Sequence, residues 1–374
     1  MNNWENFNSH PLFCHKERGK NLAGLSQLRL AMGTSIFLIA LVFASFLAVI
    51  LFVVQAFVVD IGLFYWGILI VGLPIVFILF QYLIGPAIVR MSTHLQYLKP
   101  GENPWLESTV KELARKSGLV MPRLAIVNDP TPNAFVFGRT AKSATLAVHE
   151  GLLKNLSENE VKGVIGHELG HLKHKDYIVM TVLSALPLVA YLIARGTTSA
   201  AWMSGGSRRK DGGDIGAALI AIGILSYVVY IVSLLCVLRL SRLREHFADA
   251  YSAYVTNSPD SLESALAKIT YGLSLSPKAP SGVRAFYIGD PSMAKQEISE
   301  IMDKKDEYDL DHDGVLDEKE LELAMEKEAK STWKTINSWF STHPPTFRRI
   351  LLLKEIEQEM QTGKYTTERV YAHV

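Results

Sequence analysis

Two long uncharged stretches near the N-terminus constrain the fold of this chain most. No charged side chain occurs within Ala31–Val59 or within Ile61–Val89. Each stretch is longer than the roughly 20 residues that an α-helix needs to cross a bilayer. A removable signal peptide fits less well, because its apolar core is only about 7 to 15 residues long. The sequence therefore predicts a polar tail at residues 1–29 and a transmembrane hairpin at residues 30–89.

The overall composition agrees with a chain that lies partly in lipid. Of its 374 residues, 49% are hydrophobic and 20% are charged, whereas soluble domains carry about 25% charged residues. The net charge of +1 gives no broad positive field to attract nucleic acid, so we expect no nucleic-acid partner. The two cysteines, Cys14 and Cys236, cannot form a disulfide framework or a thiolate metal site. Any metal ion is therefore expected to bind histidine and carboxylate ligands.

Two further apolar stretches, Tyr177–Ala194 and Ile215–Leu238, predict a second membrane hairpin at residues 177–238. The first of them is near the lower length limit and contains Pro187, so buried core helices of a soluble domain are the alternative. The connecting residues 195–214 carry several basic side chains, which a loop outside the cell rarely does. The second hairpin is therefore expected either to cross the bilayer or to be shallow and re-entrant.

Basic residues flank the first hairpin on both sides, and its turn has none. They are Lys16, Arg18, Lys20 and Arg29 before the hairpin and Arg90 and Lys99 after it. Lysine and arginine concentrate in the cytoplasmic segments beside membrane spans. The sequence therefore predicts a multi-pass protein of the inner cell membrane whose soluble parts face the cytoplasm.

Residues 90–176 have the pattern of a folded soluble segment. An amphipathic stretch at residues 105–116 predicts a helix, and strand-like runs at 123–128 and 144–149 predict a small sheet. The motif Ser157-Glu158-Asn159-Glu160 has the spacing of a capping box, in which serine and glutamate satisfy free amides at the start of a helix.

The helix that follows, from about Glu158 to Lys173, contains an HExxH pattern formed by His167, Glu168 and His171. Positions four residues apart lie on one helix face, so both imidazoles can bind one zinc ion. Glu168 then lies beside the metal-bound water, where it can act as a base. The pattern also occurs by chance, and two histidines on a solvated helix are the alternative.

Gly166 and Gly170 accompany the two histidines. Each glycine costs roughly 1 kcal/mol in a helix interior. Two of them beside the HExxH residues predict that another backbone packs closely against this helix.

A catalytic zinc ion needs a third protein ligand. His174 lies two helical turns from His167, about 10 Å along the axis, which is too far for both to bind one ion. Glu245 and Asp249 share a helix face just after the last apolar stretch. They allow Glu245 to bind the metal while Asp249 holds a ligand imidazole. Taken alone, however, these residues favour a solvated carboxylate pair near Arg242 and Arg244.

Four segments together resemble a known family of membrane enzymes. They are His167–Asp176 (HELGHLKHKD), Arg242–Tyr254 (RLREHFADAYSAY), Asn133-Ala134-Phe135 and Thr342–Ile350 (THPPTFRRI). In this order they are similar to the HtpX-type membrane zinc metalloproteases, relatives of the CAAX prenyl endopeptidases. The resemblance covers roughly residues 25–355.

The resemblance implies a mainly α fold with a small β-sheet. The chain would be a multi-span helical membrane protein with a cytoplasmic gluzincin-type catalytic domain that a transmembrane hairpin splits. The pieces of that domain would be residues 90–176, 239–290 and 332–374.

The resemblance also implies roles for individual residues. Zinc would be bound by His167, His171 and Glu245, with Glu168 as general base and Asp249 behind the ligands. His343 and Arg349 would stabilise the oxyanion of the transition state. An extended substrate would add as a strand to the segment around Ala144–His149, with Asn133 close by. The substrate-binding residues would be Asn133, Ala144, Thr145, Leu146, Ala147 and Val148.

Residues 291–331 depart from the family pattern, because they contain an EF-hand-like loop. Its calcium-ligating positions are Asp309, Asp311, Asp313, Val315, Asp317 and Glu320, with Gly314 at the sharp turn. A single loop predicts either pairing across a homodimer or weak calcium affinity, in the range of about 10⁻⁵ to 10⁻³ M. An acidic surface turn that binds no ion is the alternative.

The favoured function is a zinc endopeptidase that cleaves membrane or misfolded proteins at the cytoplasmic face, in protein quality control, with modulation by calcium. Its substrates would be proteins or peptides, and its surroundings the lipid bilayer. One alternative is a CAAX-type prenyl-protein protease, and another is a catalytically silent, calcium-responsive membrane scaffold. An intramembrane protease fits poorly, because the residues before the HExxH motif are polar.

Overall fold

The structure is a computed structural model in which most of the chain is helical around one small sheet. It describes residues 33–34, 36–37, 40–44, 46–48, 63–204, 213–275, 287–312, 316, 318–328 and 341–362. The helices are α1 (Leu63–Thr93), α2 (Pro104–Lys116), α3 (Glu150–Asn155), α4 (Glu158–His174), α5 (Asp176–Ser204), α6 (Gly213–Thr256), α7 (Pro259–Leu275), α8 (Pro291–Met302), α9 (Lys305–Tyr308), α10 (Glu318–Glu328) and α11 (Thr346–Gln361). The strands are β1 (Gln96–Tyr97), β2 (Arg123–Val127), β3 (Ala134–Phe137) and β4 (Thr145–His149).

Three helices of the described part are long and apolar enough to cross a membrane. Their spans are Ile75–Thr93 in α1, Asp176–Trp202 in α5 and Gly216–Thr256 in α6. Only 33% of the apolar window of α5 or of α6 is buried, which argues against core helices of a soluble domain. The residues of Ala31–Val59 that are described are helical, and Phe43 packs against α5 and α6. The loop at residues 205–212 lies outside the described residues.

Helix α6 connects the membrane to the catalytic part of the molecule. It runs without a break through Leu238, where the apolar stretch ends, and carries Glu245 and Asp249 in the same helix. Helix α4 is similarly close to the membrane. Lys175 caps its C-terminus in the left-handed conformation, and α5 begins at the next residue. Both segments that carry the proposed zinc ligands are therefore directly attached to membrane helices.

The sheet has the strand order β1-β2-β4-β3, with β2 and β4 parallel and the other pairs antiparallel. Strand β4 is thus paired on both sides and is buried at every residue. The prediction that Ala144–Val148 accepts a substrate strand is therefore wrong, because the backbone of that segment has no free edge. Strand β3, which the sequence analysis did not identify, is the edge strand next to β4, and β1 is the edge strand on the other side of the described sheet.

One hydrophobic core joins segments from both sides of the second membrane hairpin. It contains Leu106, Val110, Leu146, Val148, Ile165 and Leu169 from before the hairpin and Ala250, Leu262, Ile269, Leu353 and Ile356 from after it. The catalytic part is therefore assembled from separate pieces of sequence around an inserted hairpin.

The EF-hand-like region packs on the catalytic part through a smaller core. Ile298, Ile301, Tyr308, Leu321, Ala324 and Met325 contact Ala267, Phe347 and Ile350. Met302, at the end of α8, is 45% exposed and lies outside this core. The region thus contacts α11, the helix that carries Arg349.

Candidate active site

The two glycines of the HExxH helix lie where α6 crosses α4. A Cβ atom on Gly170 would be 3.0 Å from Ala248 Cα, and one on Gly166 would be 2.8 Å from Ser252 Oγ. Larger side chains would push the helices apart. The predicted close approach of a second backbone is confirmed, and the partner is the helix of Glu245.

This packing brings the three proposed ligands together. His167 Nε2 lies 3.1 Å from His171 Nε2, and Glu245 oxygens lie 3.5 Å and 3.4 Å from these two nitrogens. Ligand bonds of about 2.0–2.1 Å to a tetrahedral ion require donor atoms about 3.3 Å apart. The buried Glu245 Oε2 makes no hydrogen bond with a described residue. The three side chains therefore fit a zinc ion and leave a fourth position for water.

Carboxylates hold the other nitrogen of both imidazoles. Asp249, which is fully buried, lies 2.9 Å from His167 Nδ1. Asp176, which the sequence analysis did not select, lies 2.7 Å from His171 Nδ1 and pairs with Arg244. Such contacts fix the orientation and tautomer of a metal-binding histidine. The left-handed turn at Lys175 brings Asp176 back toward His171, and the spacing alone did not indicate it.

Arg349 does not have the position that we expected for an oxyanion donor. Its side chain is buried, donates to both oxygens of Asp249 at 2.8 Å and 2.7 Å, and donates to the Ile288 carbonyl at 2.5 Å. It does not line the cavity beside the ligands. These bonds use three of its five N–H donors, and Nη1 also lies 3.6 Å from Glu245 Oε2. The geometry therefore assigns Arg349 to positioning Asp249 and Glu245.

His343 does line that cavity. Its Nε2 lies 3.8 Å from Glu245 Oε1, and its Nδ1 lies 2.9 Å from the Thr342 hydroxyl. Burial lowers the pKa of His343, which favours the neutral ring. A neutral imidazole can still donate one hydrogen bond.

Glu168 lies next to the edge strand. Its carboxylate is almost fully buried, and the nearby Val136 amide favours its charged form. Burial is the main cause that raises the pKa of Glu168. A carboxylate with a raised pKa is a stronger base near neutral pH.

A cavity of about 620 Å³ extends from the ligands between α1, α5 and α6. Apart from the ligand end, its wall is mostly apolar, and it includes Tyr82 and Pro86 of α1, Leu188 and Tyr191 of α5, and Leu234 of α6. Tyr191 lies fifteen residues after Asp176, or about 22 Å along the helix. The cavity therefore reaches from the catalytic residues into the part of the molecule that lies in the membrane.

Asn133 is not part of the cavity wall. It is 1% exposed, its Oδ1 accepts from the Ile288 amide at 2.9 Å, and its carbonyl accepts from the His149 amide at 2.9 Å. The expected substrate contact of Asn133 is therefore wrong, because its polar groups fix the Ile288 segment instead. The cavity is lined by all four residues of β3, which follows Asn133 directly.

His174 lies apart from the ligand cluster, as the helical spacing requires. Its ring contacts Phe247 and Tyr251, and burial is the main cause that lowers its pKa to about 4. It is a half-buried histidine whose lowered pKa favours the neutral ring.

The EF-hand-like loop brings three of its predicted ligands together. Asp309, Asp311 and Glu320 each offer an oxygen within 4.8 Å of the others. Glu320 also accepts from the Leu310 amide at 2.6 Å. Asp313, Val315 and Asp317 lie outside the described residues.

The model of peptidase family M48 matches residues 100–357, which is more than half of the chain. The chain belongs to peptidase family M48. It is a metalloprotease, and its apolar helices mark it as an integral membrane protein. The predicted family, enzyme class and mainly helical fold with a small sheet are confirmed.

Several relatives are similar over most of the chain. The protease HtpX homologue of Aeropyrum pernix is 32% identical over 76% of this chain and 84% of its own length. The HtpX homologue of Moorella thermoacetica is 31% identical over 91% of this chain and 98% of its own. The crystal structure of S. mikatae Ste24p aligns with a TM-score of 0.45 and 17% identity, over 89% of this chain and 68% of that one.

Proposed function

We propose that this metalloprotease is a zinc endopeptidase that hydrolyses peptide bonds in membrane or misfolded proteins at the cytoplasmic face. The observation that carries the proposal is the arrangement of His167, His171 and Glu245 at distances that suit tetrahedral zinc, with Glu168 beside them. The cytoplasmic side is inferred from the basic residues around the first hairpin. Cleavage of membrane or misfolded proteins would give this protease a role in protein quality control.

Each group in the site has a chemical task. Zinc, when bound, polarises the scissile carbonyl and supplies the hydrolytic water. Glu168 accepts the proton of that water and returns it to the amine that leaves when the C–N bond breaks. His343 donates a hydrogen bond to the oxygen that becomes negative in the transition state. Asp249, Asp176 and Arg349 keep the ligands in place.

The edge strand β3 is the proposed site for the extended substrate backbone. It replaces the Ala144–Val148 segment in this role, since its outer edge is free within the described sheet and it borders both Glu168 and the cavity. A peptide that adds to this edge would be held by main-chain hydrogen bonds.

The apolar cavity supports hydrophobic substrates. Apolar side chains of an unfolded protein or a membrane segment would enter such a cavity more favourably than polar side chains would. A prenyl chain would also suit an apolar wall. The experiment must therefore distinguish the proposed endopeptidase from a prenyl-protein protease.

The test uses the full chain purified in detergent and loaded with zinc. We expect it to hydrolyse casein and a membrane protein without any prenyl group, and we expect Glu168→Gln to lose orders of magnitude in rate while keeping its zinc. Glu158→Gln, which changes an exposed carboxylate at the start of the same helix, is the matched control and should retain full activity. Cleavage of prenylated peptides alone would contradict the proposal.

We also propose that calcium binds at Asp309, Asp311 and Glu320 and modulates the protease. The clustering of these oxygens supports it, and so does a contact to the catalytic part, because Glu297 of α8 accepts from the Thr346 amide at 3.2 Å. Calorimetry with calcium on wild-type chain and on Glu320→Gln should show heat only for wild type. Light scattering in the same buffers reports whether calcium forms the homodimer. If calorimetry shows no heat at millimolar calcium, the loop is an acidic surface turn that binds no ion.

A further inference from the structure

A second cavity, of about 260 Å³, lies where α1 meets one end of the sheet. Three arginines from different elements line it: Arg90 near the end of α1, Arg123 at the start of β2, and Arg139 just after β3. Ser143 and Thr145 add hydroxyl groups to the same wall. We call this set of five residues the arginine cavity.

The sheet register explains why these residues meet. Arg123 is the partner of Thr145 across the parallel pair, and Phe137 is the partner of Thr145 across the antiparallel pair. The start of β2, the start of β4 and the end of β3 therefore lie at the same end of the sheet. That end faces α1, because Pro86 and Ala87 also line the arginine cavity.

Hydrogen bonds fix this end of the sheet to α1. Arg139 Nη2 donates to the Leu83 carbonyl at 2.5 Å, and the Tyr82 hydroxyl donates to the Arg139 carbonyl at 2.7 Å. Leu83 precedes Arg90 by seven residues, which is about 10 Å along the helix. Leu79, Phe80, Leu83, Ile88 and Met91 are exposed apolar side chains on the same span. Arg139 thus lies beside the exposed apolar side chains of a candidate membrane span.

No carboxylate of the described residues balances the charge of the arginine cavity. Arg90, Arg123 and Arg139 form no ion pair with any carboxylate among the described residues. Positive side chains near the bilayer are costly unless an anion or water compensates them. Guanidinium groups match the oxygens of a phosphate with paired hydrogen bonds. Basic cavities beside membrane helices suit lipid headgroups.

We propose that the arginine cavity binds the phosphate of an anionic phospholipid from the surrounding bilayer. The lipid would hold the end of α1 against the sheet. Pro86, Phe137 and Gly138 line both this cavity and the one that contains the proposed ligands. Lipid bound on one side of this shared wall would therefore fix the position of β3 on the other.

Native mass spectrometry of the full chain in detergent, with added phosphatidylglycerol or phosphatidylcholine, tests the binding. We expect wild type to retain phosphatidylglycerol and to lose phosphatidylcholine. Arg123→Gln should lower the apparent affinity for phosphatidylglycerol at least tenfold, and Arg123→Gln with Arg139→Gln should abolish retention. Arg115→Gln removes an exposed arginine of α2 outside the cavity, so it should bind as wild type does.

Two further arms make the outcome decisive. Inorganic phosphate at millimolar concentration should not displace the lipid, and displacement would identify a site for soluble anions instead. The zinc content and melting temperature of each variant report folding. The Arg123 guanidinium makes no hydrogen bond with a described residue, so Arg123→Gln should not weaken the fold. This variant therefore tests lipid binding even if Arg139→Gln is unstable. Equal retention of the two lipids, or wild-type affinity in Arg123→Gln, would overturn the proposal.

Discussion

At the scale of single residues, the active site is a set of buried charges that hold one another in place. His167 and His171 each contact a carboxylate on the side away from the proposed zinc. The sequence predicted His167, Glu168 and His171 from their spacing on one helix, and Glu245 from its spacing to Asp249 together with the family resemblance. Asp176 and the true position of Arg349 depend on a turn and on packing between distant segments, which spacing does not encode.

Asp176 gives a prediction at this scale. Asp176→Asn should lower the zinc affinity by roughly 10- to 100-fold, because the amide holds the His171 ring less firmly and does not raise its basicity. Zinc affinity is measured by competition with a coloured chelator. Asp260→Asn, at an exposed position of α7, is the control and should not change it. If Asp176→Asn binds zinc as tightly as wild type, Asp176 does not position the ligand.

At the scale of elements, the position of the site depends on how α4 packs on α6 and α7. The sequence predicted the start of α4 from its capping box, because this signal is local. The predicted end of α4, Lys173, is one residue before the observed end. It also predicted close packing from Gly166 and Gly170. It did not predict β3 or the internal position of β4, because strand order depends on contacts between segments that the sequence does not specify.

The crossing of α4 and α6 is tested at Gly170. Gly170→Ala should destabilise the protein by about 1–3 kcal/mol, since the new methyl group would meet the Ala248 backbone. The matched control is Gly196→Ala in α5, where a Cβ meets nothing within 4 Å. The control should be neutral or slightly stabilising. Thermal melts in detergent measure both variants, and equal melting temperatures would contradict the close crossing.

The start of α4 is tied to α7 by Glu160. Burial raises the pKa of Glu160, but hydrogen bonds from Lys268, Ser264 and Ser157 outweigh burial and leave the pKa below its usual value. A carboxyl group whose pKa is lowered by folding stabilises the protein above its unfolded pKa of about 4.3. That stabilisation is lost as the pH falls through the folded pKa.

Glu160→Gln should therefore destabilise the protein by about 1–3 kcal/mol at pH 7. The difference in melting temperature from wild type should shrink as the pH falls below about 4.3. Glu158→Gln, at an exposed position in the same helical turn, is the control. A difference that is constant between pH 7 and pH 4 would show that the charge of Glu160 does not stabilise the fold.

At the scale of the whole molecule, the catalytic part and the membrane part share their helices. Helix α6 carries Glu245 from the membrane into the catalytic core, and α5 begins at Asp176 beside His171. A movement of either membrane helix would therefore move a group that contacts the proposed zinc site. The large apolar cavity lies between these same helices. A substrate in this cavity would therefore contact the helices that carry the groups at the proposed zinc site.

We expect His167, His171 and Glu245 to bind one catalytic zinc ion. Diffraction above and below the zinc absorption edge, from crystals of the full-length Glu168→Gln variant, tests it most directly because that variant keeps the ligands and removes turnover. We predict one anomalous peak at about 2.0–2.2 Å from His167 Nε2, His171 Nε2 and a Glu245 oxygen. A peak at His174, or zinc bound without Glu245, would contradict the account.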